Sequence, residues 1–192
     1  MVASRKAEWL AAALAVMLAP AVADFKAAEV RPKFAPAALA LGGRLELDLT
    51  PNVEEALAKG IPLEVIFTVR LYRERKLLWD RRIAEWTFKR ELRYHALSGQ
   101  YLIGSGLPHP GDAPEETVTE SFNSLPEALR QMGALDELKL PLPATAAPAG
   151  EHTVEIRAYL DIEALPAPLR PVAYTSLAWR LNSGWSTWKV QR

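Results

Sequence analysis

The chain has 192 residues, and its 23 Lys and Arg balance its 23 Asp and Glu, so no global charge draws it toward nucleic acid. It contains no cysteine, which removes disulfides, thiol nucleophiles and thiolate metal sites together. A chain of this size without covalent staples must be stable through its core alone.

The first 23 residues read as a secretory signal peptide. Arg5 and Lys6 form a basic start, Trp9 to Leu18 an alanine-rich apolar run, and Ala21-Val22-Ala23 a small-x-small cleavage site after Pro20. The apolar run falls short of the ~20 residues needed to span a bilayer. Cleavage is expected after Ala23, releasing a soluble periplasmic protein; the lipoprotein variant needs a cysteine that is absent. Removing Arg5, Lys6 and Glu8 leaves 21 basic and 22 acidic residues, a net charge of about −1. Residues 24 to 192 are expected to form one β-sandwich domain.

A first strand is expected at 26 to 31, and Gly42-Gly43 reads as a turn. RLELDL (44 to 49) then alternates, with Leu45, Leu47 and Leu49 on one face, as a half-buried strand does. TPNVEEALAKGIP predicts a short helix capped by Asn52, with Glu55 in the capping-box position and Gly60 at its end. Leu63, Val65, Phe67, Val69 and Leu71 alternate through the clearest strand of the chain. RERK (73 to 76) turns back into a partner running from about Trp79 to Tyr94, where Trp86, Phe88, Leu92 and Tyr94 share a face.

RYHALSGQYLI predicts a hairpin. A turn over 96 to 99 pairs residue 95 with 100, Tyr94 with Tyr101 and Leu92 with Ile103, so one register keeps both apolar faces together. Gly99 supplies the positive φ of the turn. His95 falls on the polar face beside the turn, and Ser98 has no acid or base at a fixed spacing to activate it. Residues 104 to 116 form a Gly- and Pro-rich loop. Its His109, Asp112, Glu115 and Glu116 read as scattered loop polars rather than a metal site.

TVTESF (117 to 122) is a short strand. SLPEALRQMG is a second helix, with Ser124 and Glu127 as a capping box and Leu125, Ala128, Leu129 and Met132 as its apolar stripe. Residues 141 to 150 form a surface connection. TVEIRAYLDI alternates with Val154, Ile156, Ala158, Leu160 and Ile162 inward. LPAPLRP cannot sit in a central strand. SLAWRLNS reads as the last clear strand, followed by Trp185 and Trp188. Seven or eight strands, two short helices and no strand–helix–strand repeat predict a mainly β protein. The expected architecture is an antiparallel β-sandwich, immunoglobulin-like in its general form.

No catalytic constellation is readable: no nucleophile with a base, no carboxylate pair and no metal triad, and no cofactor is implied. The expectation is a non-enzymatic protein. Trp185 and Trp188 are candidate interaction residues, since tryptophan is favoured at binding hot spots; a terminal strand clasping a sandwich also needs aromatic anchors. The segment from Arg70 to Arg93 is locally basic, and Arg73, Arg75 and Lys76 at its bend could meet an anionic partner such as lipid headgroups or an envelope polymer. A solvated hairpin with cross-strand ion pairs explains the same residues more simply. An enzyme whose site converges only in three dimensions is the third alternative.

Four segments together resemble one family: LTPNVEEALAKGIPLEVIFTVRLYR, RYHALSGQYLI, NSLPEALRQMG and LAWRLNSGWSTWKV. In order and spacing they are similar to the proteobacterial family called domain of unknown function 4390. The Pro-rich loop at 107 to 116 is longer than that pattern. The resemblance implies an exported envelope protein of Gram-negative bacteria with no assigned activity. It also implies a gene neighbourhood shared with a nitrogen-responsive sensor histidine kinase, and hence an envelope or membrane protein as partner.

Overall fold

The computed structural model describes residues 24–75, 79–106, 117–136, 138–143 and 150–191. The expected leader at 1–23 and residues 107–116 of the expected loop lie outside these, as do Lys76, His109, Asp112, Glu115 and Glu116.

The fold is mainly β, with two antiparallel sheets. The larger has six strands in the order β6 (Thr117–Phe122), β5 (Gln100–Gly106), β4 (Arg81–His95), β3 (Leu63–Arg73), β8 (His152–Leu160) and β9 (Ser186–Lys189). The smaller has three, β1 (Phe25–Ala35), β2 (Ala38–Leu47) and β7 (Leu138–Pro141), in that order. Alternation explains their inner faces. Leu63, Val65, Phe67, Val69 and Leu71 of β3 are buried, as are Val154, Ile156, Ala158 and Leu160 of β8. They join Leu39, Leu41, Leu45 and Leu47 of β2 in one apolar cluster between the sheets. Trp86 on the inner face of β4 ties the layers, its indole N–H donating to the Pro141 carbonyl at 3.0 Å.

The expected hairpin holds residue for residue: His95 pairs with Gln100, Tyr94 with Tyr101, Leu92 with Ile103, and Gly99 has φ +68°. β5 runs further than expected, to Gly106, because Gly104 and Ser105 still pair with both neighbours, β4 and β6.

Other expectations are corrected. Gly42-Gly43 is not a turn but the middle of β2; the reversal lies at Pro36-Ala37, where Ala37 takes φ 58°. The glycine pair serves a register shift in β1 between Ala27 and Glu29. Gly43 has φ +100°, and a Cβ there would lie 2.1 Å from the Glu29 carbonyl oxygen, so no side chain fits.

Helix α1 (Pro51–Ala58) is capped by Thr50 rather than Asn52. The Thr50 hydroxyl accepts from the Val53 N–H and donates to the Ala178 carbonyl, and Pro51 opens the helix where its missing N–H costs nothing. Glu55 pairs with Lys59 one turn on instead of closing a capping box.

The segment 176 to 183 is not a strand. Helix α3 (Arg170–Thr175) precedes it and a 3-10 turn (Leu177–Trp179) lies within it, the turn begun by the Ser176 hydroxyl accepting from the Ala178 N–H. Trp179 and Leu181 are buried while Leu177 is 78% exposed, a partial alternation that imitates a strand. Three α-helices are therefore present among the described residues where two were expected.

Helix α2 (Leu125–Met132) buries Ala128 and Met132 and half-buries Leu125 and Leu129, as its stripe predicts. Ser124 stands at its N-cap position, but its side chain makes no capping hydrogen bond. The helix is held at its other end. Arg90 lies on the inner face of β4 among the apolar residues, and its Nη1 donates to the carbonyls of Met132 and Ala134, each at 2.6 Å. A cation is favourable at a helix C-terminus, where the last carbonyls lack partners. Phe67 and Phe88 stack beneath the same guanidinium, at 5.3 and 5.8 Å. Burial lowers the Arg90 pKa from its ordinary value, and the Glu120 carboxylate opposes that shift. Gly133 then lets the chain pass β2 closely, with Leu45 N–H donating to the Gly133 carbonyl at 2.9 Å.

The two ends of the described chain meet. The Asn182 N–H donates to the Asp24 carboxylate at 3.0 Å, the Gln191 N–H to the Pro32 carbonyl at 2.8 Å, and Lys33 forms a parallel bridge with Gln191.

Arg90→Ala is expected to destabilise the protein by about 2–3 kcal/mol in urea unfolding, because two charge-assisted hydrogen bonds are lost beside the core. Arg90→Lys should recover only part, since an ammonium lacks the planar fork. Gly43→Ala should cost about 2 kcal/mol or more, through strain at positive φ and the clash with Glu29.

Candidate functional site

With odd-numbered residues of β3 in the core, the even-numbered ones face outward. Ile66, Thr68, Arg70 and Tyr72 stand in register with Tyr159, Arg157, Glu155 and Thr153 of β8, and with Lys89, Thr87, Glu85 and Arg82 of β4. This outer face carries Arg70, Arg82, Lys89 and Arg93 of the basic stretch, and each is paired with a carboxylate. Arg70 Nε donates to Glu85 at 3.2 Å, and Arg82 reaches the same carboxylate oxygen at 2.5 Å. Lys89 pairs with Glu64 at 3.2 Å, and Arg93 with Glu91. Burial opposes the Arg70 charge, but Glu85 and Tyr72 together raise its pKa above the ordinary value. The bond to Glu91, and then its charge, raise that of Arg93.

Trp185 lies across this face. The segment before it is fastened to the edge of β8: Leu160 N–H donates to the Leu181 carbonyl at 3.0 Å, Ser183 N–H to the Ala158 carbonyl at 2.9 Å, and Ala158 N–H to the Ser183 hydroxyl at 2.9 Å. Gly184, at φ +65°, then reverses the path, with its N–H donating to Asn182 Oδ1. The ring of Trp185 ends 4.1 Å from the Arg70 guanidinium and 5.9 Å from that of Arg157. Arg157 is itself 4.9 Å from the Tyr159 ring and fixed by Asn182 at 3.0 Å. Tyr159, Arg157, Trp185, Arg70 and Glu85 thus form one aromatic and cationic ladder on the open side of the sheet. Trp185 is 39% exposed, so its outer ring face is free to meet a partner.

Trp188 is different. Three residues further along a strand, it points to the opposite face, opposite Val154, and packs half-buried against the core. Its indole Nε1 is buried and has no hydrogen-bond partner among the described residues. The two tryptophans do not form one site. Arg73 ends β3 and Arg75 follows it, both exposed and on the bend of the β3–β4 hairpin, away from the ladder.

The Ser98 expectation needs correcting. The hairpin turn brings the Ser98 hydroxyl 2.9 Å from His95 Nδ1, and the Ser98 N–H also points to that nitrogen at 3.3 Å. Both residues are exposed on the hairpin turn, so the contact is a turn-closing hydrogen bond. Sequence reasoning also passed over His152. It is buried at the start of β8, edge-on to Phe34 with ring centroids 5.0 Å apart. Its parity with Val154 and Ile156 was the available signal.

Shallow clefts mark the surface among the described residues, two of them of about 500 Å³ each. One lies on the outer face between Glu64, Lys89, Leu102, Gly104 and Thr119, where Gly104 and Gly106 leave room. The other separates β2 from helix α2, between Leu47, Leu49, Leu125 and Leu129. Among the described residues, no three His, Asp or Glu converge to hold a metal ion.

The four segments that carry the family resemblance are α1 with β3, the β4–β5 hairpin, α2, and the run from Leu177 to Val190 that delivers Trp185. The sequence pattern of domain of unknown function 4390 (DUF4390) matches residues 23–189. The chain belongs to this family. The match spans β1 through β9. No curated protein and no solved structure matches the chain. Among the described residues, no helix is long and apolar enough to cross a membrane.

Trp185→Ala is expected to change thermal stability little, by about 1 kcal/mol or less, the size of an exposed cation–π contact. Trp188→Ala should cost about 3 kcal/mol by removing core packing. Equal losses in the two variants would show that Trp185 is a structural anchor.

Proposed function

We propose that the protein is a non-enzymatic, exported module of the cell envelope that docks on a protein partner through the ladder around Trp185. The partner we assign, from the family resemblance, is the periplasmic part of a membrane sensor kinase. One observation carries the reading. A large aromatic ring lies on an open sheet face, pinned from beneath by two guanidinium groups, while its other side stays uncovered. Binding hot spots favour a rigid Trp beside Arg, because such residues bury much area with little loss of side-chain freedom. The surrounding ion pairs support it as well. Arg70, Arg82, Lys89 and Arg93 are each paired with a carboxylate on the same face, giving a polar rim of mixed sign. The leader-like pattern of residues 1 to 23 supports export.

In-cell crosslinking of the tagged protein, followed by mass spectrometry, tests this. A dominant membrane-protein partner is expected, and Trp185→Ala should lower its recovery about tenfold or more while the variant stays folded. Recovery of no protein above background, or of the same partner equally by the variant, would sink the reading.

A further inference from the structure

Strand β2 pairs with β1 on one edge, but on the other it pairs with β7 only from Ala38 to Leu41. The chain leaving helix α2 takes up the next part of that second edge. Leu135 N–H donates to the Gly43 carbonyl and Leu45 N–H to the Gly133 carbonyl, each at 2.9 Å. Alternate residues of a strand turn their backbone groups to opposite edges, so Leu47 presents its N–H and carbonyl to the same side as Leu45. The β1 side agrees. Asp48 N–H donates to the Asp24 carbonyl, and Phe25, which stands opposite Leu47, gives its own N–H to the Asp24 carboxylate. Among the described residues, nothing pairs with the Leu47 backbone on the second edge. That edge of β2 is open from Glu46 onward.

The open edge borders the cleft of about 500 Å³ between β2 and α2, a size ordinary for a ligand site. Leu47, Leu49, Leu125 and Leu129 give the cleft its apolar lining. Gly133 sits beside Leu45, so α2 runs back along the cleft, and its first turn lies toward Leu49 and Glu54. The two ends therefore differ in charge. Asp48, Glu54 and Glu127 line one, and Arg44 and Arg130 line the other. All five are exposed, and none forms a salt bridge among the described residues. Glu46 lies between the ends, with Lys26 across from it on β1.

An unpaired strand edge beside an apolar groove is where an extended peptide adds as a further strand. Backbone bonds then give affinity, and alternate side chains give specificity. We propose that the open edge of β2 and the leucines of α2 take up an extended peptide of a partner protein, antiparallel to β2, with a cation toward Asp48, Glu54 and Glu127 and a carboxylate toward Arg44 and Arg130. The peptide residue opposite Leu47 lies on the side of Leu125 and Leu129 and is apolar. Its neighbours point outward, as Glu46 and Asp48 do, and carry the charges. In the antiparallel sense the cation precedes the apolar residue and the carboxylate follows it. A second copy of β2 fits poorly, because antiparallel pairing about Leu47 sets Glu46 opposite Asp48 of the copy. The groove shares no residue with the Trp185 ladder, and the inference does not rest on the reading above.

The test is selection from a phage-displayed library of random dodecapeptides on the purified protein, followed by fluorescence anisotropy with the selected peptides. Enrichment is expected for sequences in which Lys or Arg precedes, and Asp or Glu follows, a central apolar residue. Glu54→Lys/Glu127→Lys should weaken the selected peptide about tenfold, and Arg130→Glu about threefold. Methylating the amide nitrogen of the central apolar residue, which removes its bond to the Leu47 carbonyl, should weaken it about tenfold. Trp185→Ala should leave binding unchanged. Circular dichroism confirms the fold of each variant, and the substituted side chains are exposed. Enrichment of no sequence overturns the proposal. So do selected peptides that bind Glu54→Lys/Glu127→Lys as well as the native protein, that tolerate the methylation, or that Trp185→Ala releases.

Discussion

The two-faced alternation of β3 is the constraint on which the rest depends. This strand lies inside the larger sheet and pairs with β4 on one side and β8 on the other. Its odd positions supply the middle of the core, and its even positions set the pattern of the open face. A one-residue slip would exchange Phe67 and Val69 for Thr68 and Arg70 in the core, which the apolar layer cannot tolerate. The same register places Arg70 across from Glu85, leaving its flat guanidinium to support Trp185. Core and candidate site are therefore one decision, made by side-chain parity.

Most of that decision was legible in the sequence. The inward residues of β3 and β8, the register of the β4–β5 hairpin and the stripe of α2 all follow from local periodicity and turn chemistry. What stayed illegible depends on residues distant in the chain. Gly42-Gly43 has the composition of a turn, and only the bulge of β1 at Glu29 shows why a strand needs it. Leu177, Trp179 and Leu181 alternate like a strand, but Ser176 and Pro171 favour helical turns, and only the residues from Leu181 onward meet the edge of β8. Thr50 outcompetes Asn52 as a cap because Pro51 already fixes the first helical position. Arg90 looked like one more charge in a basic run, although its parity with Phe88 and Leu92 put it on the core side. The Trp185 and Trp188 spacing of three already implied opposite faces, whereas the two arginines under Trp185 come from strands 87 residues apart.

The cations divide into three kinds. Arg90 is consumed by the fold, closing the end of α2 on carbonyl oxygens. Arg70, Arg82, Lys89 and Arg93 are balanced by carboxylates across or along the hairpin, so they shape a surface without giving it a strong field. Arg73, Arg75 and Arg81 have neither role. A net charge near zero conceals this division, because attraction at short range depends on which charges lack a neighbour of opposite sign. The two exposed tryptophans differ likewise: Trp185 lies against Arg70 of the balanced group, whereas no guanidinium stands within stacking distance of Trp79 among the described residues.

The meeting of the chain ends carries a consequence for the order of folding. Asp24 receives its bond from Asn182, 158 residues later, and Pro32 receives one from Gln191. Closing so long a loop is entropically slow, and it cannot begin until the last residues are available. A chain that emerges from its N-terminus can assemble the β3–β4–β5 meander early from neighbouring segments. Strand β1 must wait with one edge open, and an open edge is where a foreign strand can pair. The interval between the emergence of β1 and the arrival of Gln191 is thus the period in which this protein is most exposed to aggregation.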